Sequence, residues 1–202
     1  MKEDELKKYA HLMTARFLQD PGVQFQIDNL ERAELLFSLQ CEGQIHAFNQ
    51  QNAVHVLDGG KGLLIGYSTK ELSEELLLEV FQQASLKLLE EATPDELLAL
   101  QSKALLENEI IPQNWHFKYF DGDVYHLLVV AIDISEQGTG AFRKLLTPVL
   151  RDCDYRKMPI VLETFNPVNL PIYEHFGFQL MESKSSDQIG LTCFCMMRRL
   201  AQ

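Results

Sequence analysis

The stretch Val130-Ala131-Ile132-Asp133-Ile134-Ser135-Glu136-Gln137-Gly138-Thr139-Gly140-Ala141 decides how the chain is organised. It ends a nearly continuous apolar run, Val124 to Ile134, which reads as a strand buried on both faces. Gly138 to Arg151 then reads as a helix, with Phe142, Leu145, Leu146, Val149 and Leu150 facing inward. A strand that passes through a glycine turn into a helix leaves the first N–H groups of that helix unpaired and partly positive. Such groups can hold a pyrophosphate, and the glycines let its oxygens come close. A tight turn that merely needs small residues gives the same pattern.

Beyond that helix, Pro159 to Thr164 reads as a second buried strand. Strand, helix and strand in this order imply a parallel pair with a right-handed crossover. Leu170 to Phe176 reads as a short helix, and Phe178 to Glu182 and Leu191 to Arg198 as closing strands. On the N-terminal side, Glu5 to Leu18 is a helix with Leu6, Tyr9, Ala10, Met13 and Phe17 on one face, ended by Asp20-Pro21-Gly22. Leu30 to Leu39 reads as a second helix. Gln44 to Asn49 and Ala53 to Leu57 read as strands, and the Asp58-Gly59-Gly60 turn leads into Gly62 to Tyr67. Ser68 and Glu71 have capping-box spacing ahead of a helical stripe from Leu72 to Leu88. Thr93-Pro94-Asp95-Glu96 opens a further helix that runs to about Glu107.

The chain has 202 residues and no composition break, so a single domain over 1–202 is expected. With 18 basic and 29 acidic residues, the net charge is −11. That balance argues against nucleic acid, whose phosphates need clustered Lys and Arg, and against an anionic membrane. There is no apolar run long enough to span a bilayer and no signal-peptide pattern at Met1 to Lys8. Cys41, Cys153, Cys193 and Cys195 have no zinc spacing and read as reduced thiols in a cytoplasmic protein, with no metal expected.

A second stretch narrows the reading: Leu162-Glu163-Thr164-Phe165-Asn166-Pro167-Val168-Asn169-Leu170-Pro171-Ile172-Tyr173-Glu174-His175-Phe176-Gly177-Phe178. Together the two stretches resemble the GNAT superfamily, the Gcn5-related N-acetyltransferases. The first resembles its coenzyme-binding motif, Gln/Arg-x-x-Gly-x-Gly/Ala, and the second its Leu-Glu-Thr, Asn and Tyr-x-x-x-Gly-Phe segment. The likeness covers about 124–199, and 69–108 reads as a helical insertion before the coenzyme-binding strand. The resemblance implies an α/β (α+β) fold with a mixed, mostly antiparallel central sheet flanked by helices. It also implies transfer of an acetyl group from acetyl-coenzyme A to an amine on a small molecule or a peptide, and a homodimer is compatible with it.

Carried over residue by residue, the resemblance gives Ala131, Ile132 and Asp133 backbone contacts to the pantetheine arm and the acetyl carbonyl. Gln137, Gly138, Thr139, Gly140, Ala141 and Phe142 would cradle the pyrophosphate, with Arg143 beside them. Phe142 stands where a small residue is common, and Thr139 where a basic one is. Asn166 or Asn169 would contact the coenzyme or hold the splayed strand. Tyr173 would protonate the leaving thiolate, since a phenol keeps its proton at neutral pH; otherwise it is a core aromatic. Glu163, at a strand end, reads as a base for the amine or as a structural carboxylate. His126 reads as a core histidine. The N-terminal helices, the hairpin near Asp58 and the 69–108 insertion are the expected sources of acceptor contacts. The alternative on the same fold is a non-catalytic acyl-coenzyme A binding or sensor module.

Overall fold

The computed structural model describes residues 1–200. Its elements are α1 (Glu3–Phe17), α2 (Pro21–Ile27), α3 (Ala33–Gln50), β1 (Val54–Leu57), β2 (Gly62–Ser68), α4 (Glu74–Glu91), α5 (Pro94–Asn108), β3 (Tyr125–Ile132), α6 (Ala141–Arg156), β4 (Ile160–Thr164), α7 (Asn169–Glu174), β5 (Gln179–Ser186) and β6 (Leu191–Arg198). The six strands form one sheet in the order β1-β2-β3-β4-β6-β5. Every neighbouring pair is antiparallel except β3 and β4, which are parallel. The mixed, mostly antiparallel sheet expected from the sequence is therefore present.

The apolar periodicities explain the layers. Leu6, Tyr9, Ala10 and Met13 of α1 pack with Phe37, Cys41, Ile45 and Phe48 of α3 onto Leu63, Ile65, Val129 and Ala131 of the sheet. On the other face, Leu145, Leu146, Val149 and Leu150 of α6 cover Leu64, Leu127, Ile160 and Leu162. Tyr125 and Leu127 thus face α6, while Val129 and Ala131 face α1. The change of face follows from a β-bulge: Ile65 pairs with Val129 but Gly66 pairs with Leu127, leaving Leu128 unpaired.

Two local expectations are corrected. Gln44 to Asn49 is not a strand but the second half of α3. Phe37, Cys41, Ile45 and Phe48 are all buried at spacings of three and four, so the helical period sets the structure there. Gly43, inside this helix, obscures the pattern. It is needed because α4 passes so close that a Cβ would lie 2.0 Å from the Ala84 carbonyl oxygen. The helix after Ser68 begins later than its spacing suggests. Ser73 is the cap, accepting from Leu76 N at 3.3 Å, while Ser68 Oγ accepts from Lys70 N. The second box forms as read: Glu96 N donates to Thr93 Oγ1, and Thr93 N donates to Glu96 Oε2.

No helix of the described residues is long and apolar enough to cross a membrane. Gly43→Ala tests the α3–α4 approach. Overpacking costs about 1–3 kcal/mol, so the variant should unfold at a clearly lower urea midpoint than the wild type. An unchanged midpoint would mean that the helices can separate freely.

Candidate active site

The site opens where β3 and β4 part. Their ladder holds only two residue pairs, Tyr125 with Ile160 and His126 with Val161. Beyond these, β4 stays paired with β6 through Thr164, and β3 stays paired with β2 through Ile132. The β4-facing edge of β3 therefore borders a cleft. Asp133 N donates to the Lys61 carbonyl at 3.0 Å. Backbone groups alternate along an antiparallel strand, so Ala131 faces β2 as Asp133 does, and Val130 and Ile132 turn theirs to the cleft. Of the three residues expected to offer backbone groups, only Ile132 has them free. The other free position is Val130, whose phase could not be read before the pairing with β2 was known.

A cavity of about 650 Å³ lies along this edge. Ala131, Ile132, Asp133, Gln137, Gly138, Gly140, Ala141, Phe142, Arg143, Asn166 and Asn169 line it, as does Arg16 of α1. Gly138 and Gly140 have φ of 79° and 81°, and open space lies where a side chain would stand. Gly140 gives α6 no side-chain cap, and the first backward bond in the helix is from Lys144 N to Gly140 O at 2.9 Å. The N–H groups of Ala141, Phe142 and Arg143 are thus positioned to receive an anion.

Thr139 does not line this cavity. Its hydroxyl donates to the Glu136 carbonyl at 2.8 Å, and Glu136 also pairs with Lys61 at 2.7 Å. The Asp133 carboxylate caps the following turn through Ser135 N at 2.8 Å, and the Ser135 hydroxyl and N–H hold it below the usual carboxylate range. Phe142 leaves the cradle open, because its ring packs on Tyr173 and Phe176 at 6.0 and 5.3 Å. Arg143 lies against the Phe176 ring and hydrogen-bonds His175 at 2.8 Å. Asn166 Oδ1 accepts from Val168 N, and Asn169 Nδ2 donates to Thr164 Oγ1, so both asparagines shape the loop after β4.

A second cavity of about 340 Å³ adjoins the first, with Phe17, Asp20, Val130, Phe142, Asn169 and Ile172 on the wall of both. Tyr173 and Glu163 line it. The Tyr173 hydroxyl has no hydrogen bond among the described residues. Burial, with Asp20 nearby, raises its pKa above the ordinary phenol value. Glu163 is tied more firmly than a free base: Oε1 accepts from Trp115 Nε1, and Oε2 lies 2.6 Å from His126 Nε2. His126 Nδ1 in turn meets the Tyr67 hydroxyl at 3.1 Å. Burial pushes the Glu163 carboxyl up, but His126, Trp115 and His116 outweigh it and hold it below its ordinary range. Burial lowers the His126 ring, but Glu163 outweighs that and holds it above its ordinary value.

Sequence reasoning missed Asp20, Gln26, Gln40, Gln44 and Glu107, which also line the smaller cavity. Asp20-Pro21-Gly22 carried only a turn signal, yet Asp20 also caps α2 by accepting from Gly22 N at 3.0 Å. Burial raises the Asp20 carboxyl, opposed by the Gly22 and Val23 N–H groups. The hairpin near Asp58 contributes to neither cavity, whereas the insertion contributes Glu107.

The fold recurs in solved structures. The chain aligns over its full length with the histone acetyltransferase HPA2 and related acetyltransferase from Corynebacterium glutamicum, at a TM-score of 0.63 and 17% identity, covering 94% of that chain. It aligns similarly with arylalkylamine N-acetyltransferase 2 from Aedes aegypti, at 0.60 and 10%, over 100% of this chain and 97% of that one. The N-acetyltransferase from Staphylococcus aureus Mu50 gives 0.57 and 16%, over 97% and 96%. The fold is that of the GNAT superfamily. In sequence, 63 residues are 43% identical to an uncharacterized N-acetyltransferase of Schizosaccharomyces pombe, which is 31% of this chain and 26% of that protein. The GNAT-fold chain therefore matches about a quarter of the length of this curated relative. No protein-family model matches the chain.

The His126–Glu163 pair predicts a pH window for stability. Glu163, held low when folded, adds stability above the ordinary carboxylate value of about 4.3, lost as pH falls through its folded value. His126, held high, adds stability below about 6.5, lost as pH rises through its folded value. The gap in thermal midpoint between wild type and Glu163→Gln should be widest between about pH 4.3 and 6.5 and shrink on both sides. A gap independent of pH would mean the contact is not ionic.

Proposed function

We propose that this chain is an N-acetyltransferase that moves an acetyl group from acetyl-coenzyme A to a primary amine by direct attack. The observation that carries the reading is the meeting of the two cavities at Val130 and Asn169, beside Tyr173. The larger cavity suits the coenzyme: the open glycines and the first turn of α6 receive its pyrophosphate, and the free edge of β3 receives the pantetheine arm. The smaller cavity takes the acceptor, a small-molecule or peptide amine. The four buried free cysteines support the cytoplasm as its compartment.

In this mechanism the amine nitrogen attacks the thioester carbonyl carbon. N–H groups of Val130 and Ile132 hold the oxyanion, a role worth about 2.7–4 kcal/mol per donor. The C–S bond then breaks, and the leaving sulfur takes its proton from the Tyr173 hydroxyl. The proton of the attacking nitrogen goes to Glu163 through a water. A second reading of this last step rests on Asp20, which stands where the cavities meet and whose burial strengthens it as a base relative to an ordinary aspartate.

Thiol release across a panel of amines, after a thermal shift with acetyl-coenzyme A, tests the activity. Coenzyme binding without thiol release on any amine would favour a sensor. Tyr173→Phe should lower kcat roughly a hundredfold or more while the coenzyme shift is retained, and undiminished turnover would remove the acid role. The proton acceptor is identified by the acidic limb of kcat/KM. A limb below the ordinary carboxylate range, abolished in Glu163→Gln, marks Glu163. A limb above it, abolished in Asp20→Asn, marks Asp20.

A further inference from the structure

Glu107 is the most unusual charge in the molecule. It lies near the end of α5, on the wall of the smaller cavity, and is only 3% exposed. Its Oε2 accepts from Gln26 Nε2 of α2 at 2.5 Å, but its Oε1 is buried with no hydrogen-bond partner among the described residues. A buried carboxylate is costly unless paired with a cation and hydrogen-bonded on both oxygens. Lys103, one turn earlier on α5, is engaged elsewhere: it donates to the Asp28 carbonyl and lies over the Phe25 ring. Burial raises the Glu107 carboxyl, Gln26 opposes this, and Asp20 adds to it, so the ionised form lacks a counter-charge.

The cavity as a whole has the same bias. Asp20, Glu107 and Glu163 line it, and among the described residues no Lys, Arg or His does. Met13, Phe37, Leu127 and Val129 supply apolar wall in the same cavity, while Gln40 and Gln44 of α3 add amides. Glu107 and Gln26 touch only the smaller cavity, whereas Asp20 and Val130 touch both. The unpartnered oxygen therefore belongs to the smaller cavity, the one taken for the acceptor, whose wall also carries Tyr173.

We propose that the acceptor carries two cationic centres joined by an apolar spacer: one amine reacts beside Tyr173 while the other ammonium pairs with Glu107. This rests on the acetyl-transfer reading for the reacting end only. The distal ammonium donates to the bare Oε1, and the spacer lies along the apolar wall. A monoamine of the same length leaves Glu107 without a partner.

The test is a ladder of α,ω-diamines against n-alkylamines of matched chain length, read by thiol release from acetyl-coenzyme A. At its best chain length the diamine should have a KM lower than the monoamine by roughly tenfold or more, the factor one charged hydrogen bond supplies. Glu107→Gln keeps the side chain's size and should erase this preference, and Glu79→Gln, on the exposed side of α4, should keep it. No preference in the wild type, or a preference that survives Glu107→Gln, overturns the proposal. If Glu107→Gln does not fold, judged by its thermal midpoint, the wild-type preference and a Glu107→Met variant decide. If no acceptor releases thiol, the acetyl-transfer reading fails, and calorimetry judges the subsite: diamine binding to the wild type and not to Glu107→Gln supports it, and equal or absent binding overturns it.

Discussion

The ladder between β3 and β4 stops after two residue pairs, and both cavities follow from where it stops. A parallel pair would ordinarily satisfy the facing backbone groups along its whole length. Here the bulge at Leu128 turns β3, and β4 follows β6 instead. The unmatched edge then has to be met by something other than a strand. That need explains why both cavities lie along β3 and meet at Val130. It also explains the two-sided core, because the bulge moves Val129 and Ala131 to the α1 and α3 face while Leu127 stays under α6.

Once backbone pairing ends, side chains take over the connection. His126 belongs to the last paired position of β3, and Glu163 lies two residues past its partner on β4. Their contact bridges the opening strands, and Trp115 adds the segment that follows α5. A buried ion pair is weak evidence for net stability, because desolvation offsets much of its attraction. Its value here is geometric: it fixes how far the strands part and keeps the Glu163 side chain on the cavity wall. Tyr67, from β2, completes the chain of contacts across three neighbouring strands.

What is legible in the sequence follows the range of the interactions. The turn from β3 into α6 and the segment 162–178 were legible because glycine placement, caps and apolar period are local signals. The Thr93 box was legible for the same reason, since both partners lie within one turn. Gln44 to Asn49 was misread because Gly43 answers to Ala84 on another helix, which no local pattern records. Val130 was overlooked because the direction of a strand's backbone groups depends on its register with β2. Asp20, Gln26 and Glu107 became site residues only when α2 packed against α5. Glu163 and His126 were each singled out, but their pairing depends on the β3–β4 register.

The distribution of compensated and uncompensated charge gives the two cavities their direction. In the larger one, the Asp133 carboxylate is held by Ser135 and Glu136 by Lys61, so the carboxylates there are already answered. What is left on the wall of the larger cavity is positive: Arg16, Arg143 and the uncapped start of α6. In the smaller one, Glu163 is answered by His126 and Asp20 by backbone N–H groups, and the oxygen left over belongs to Glu107. In the proposed reaction, this difference would draw an anionic donor to the larger cavity and a cationic acceptor to the smaller one. Orientation of this kind acts before any bond changes, since pre-formed fields position reactants at no cost of reorganisation. The insertion, expected from the sequence to be a source of acceptor contacts, reaches the smaller cavity through Glu107.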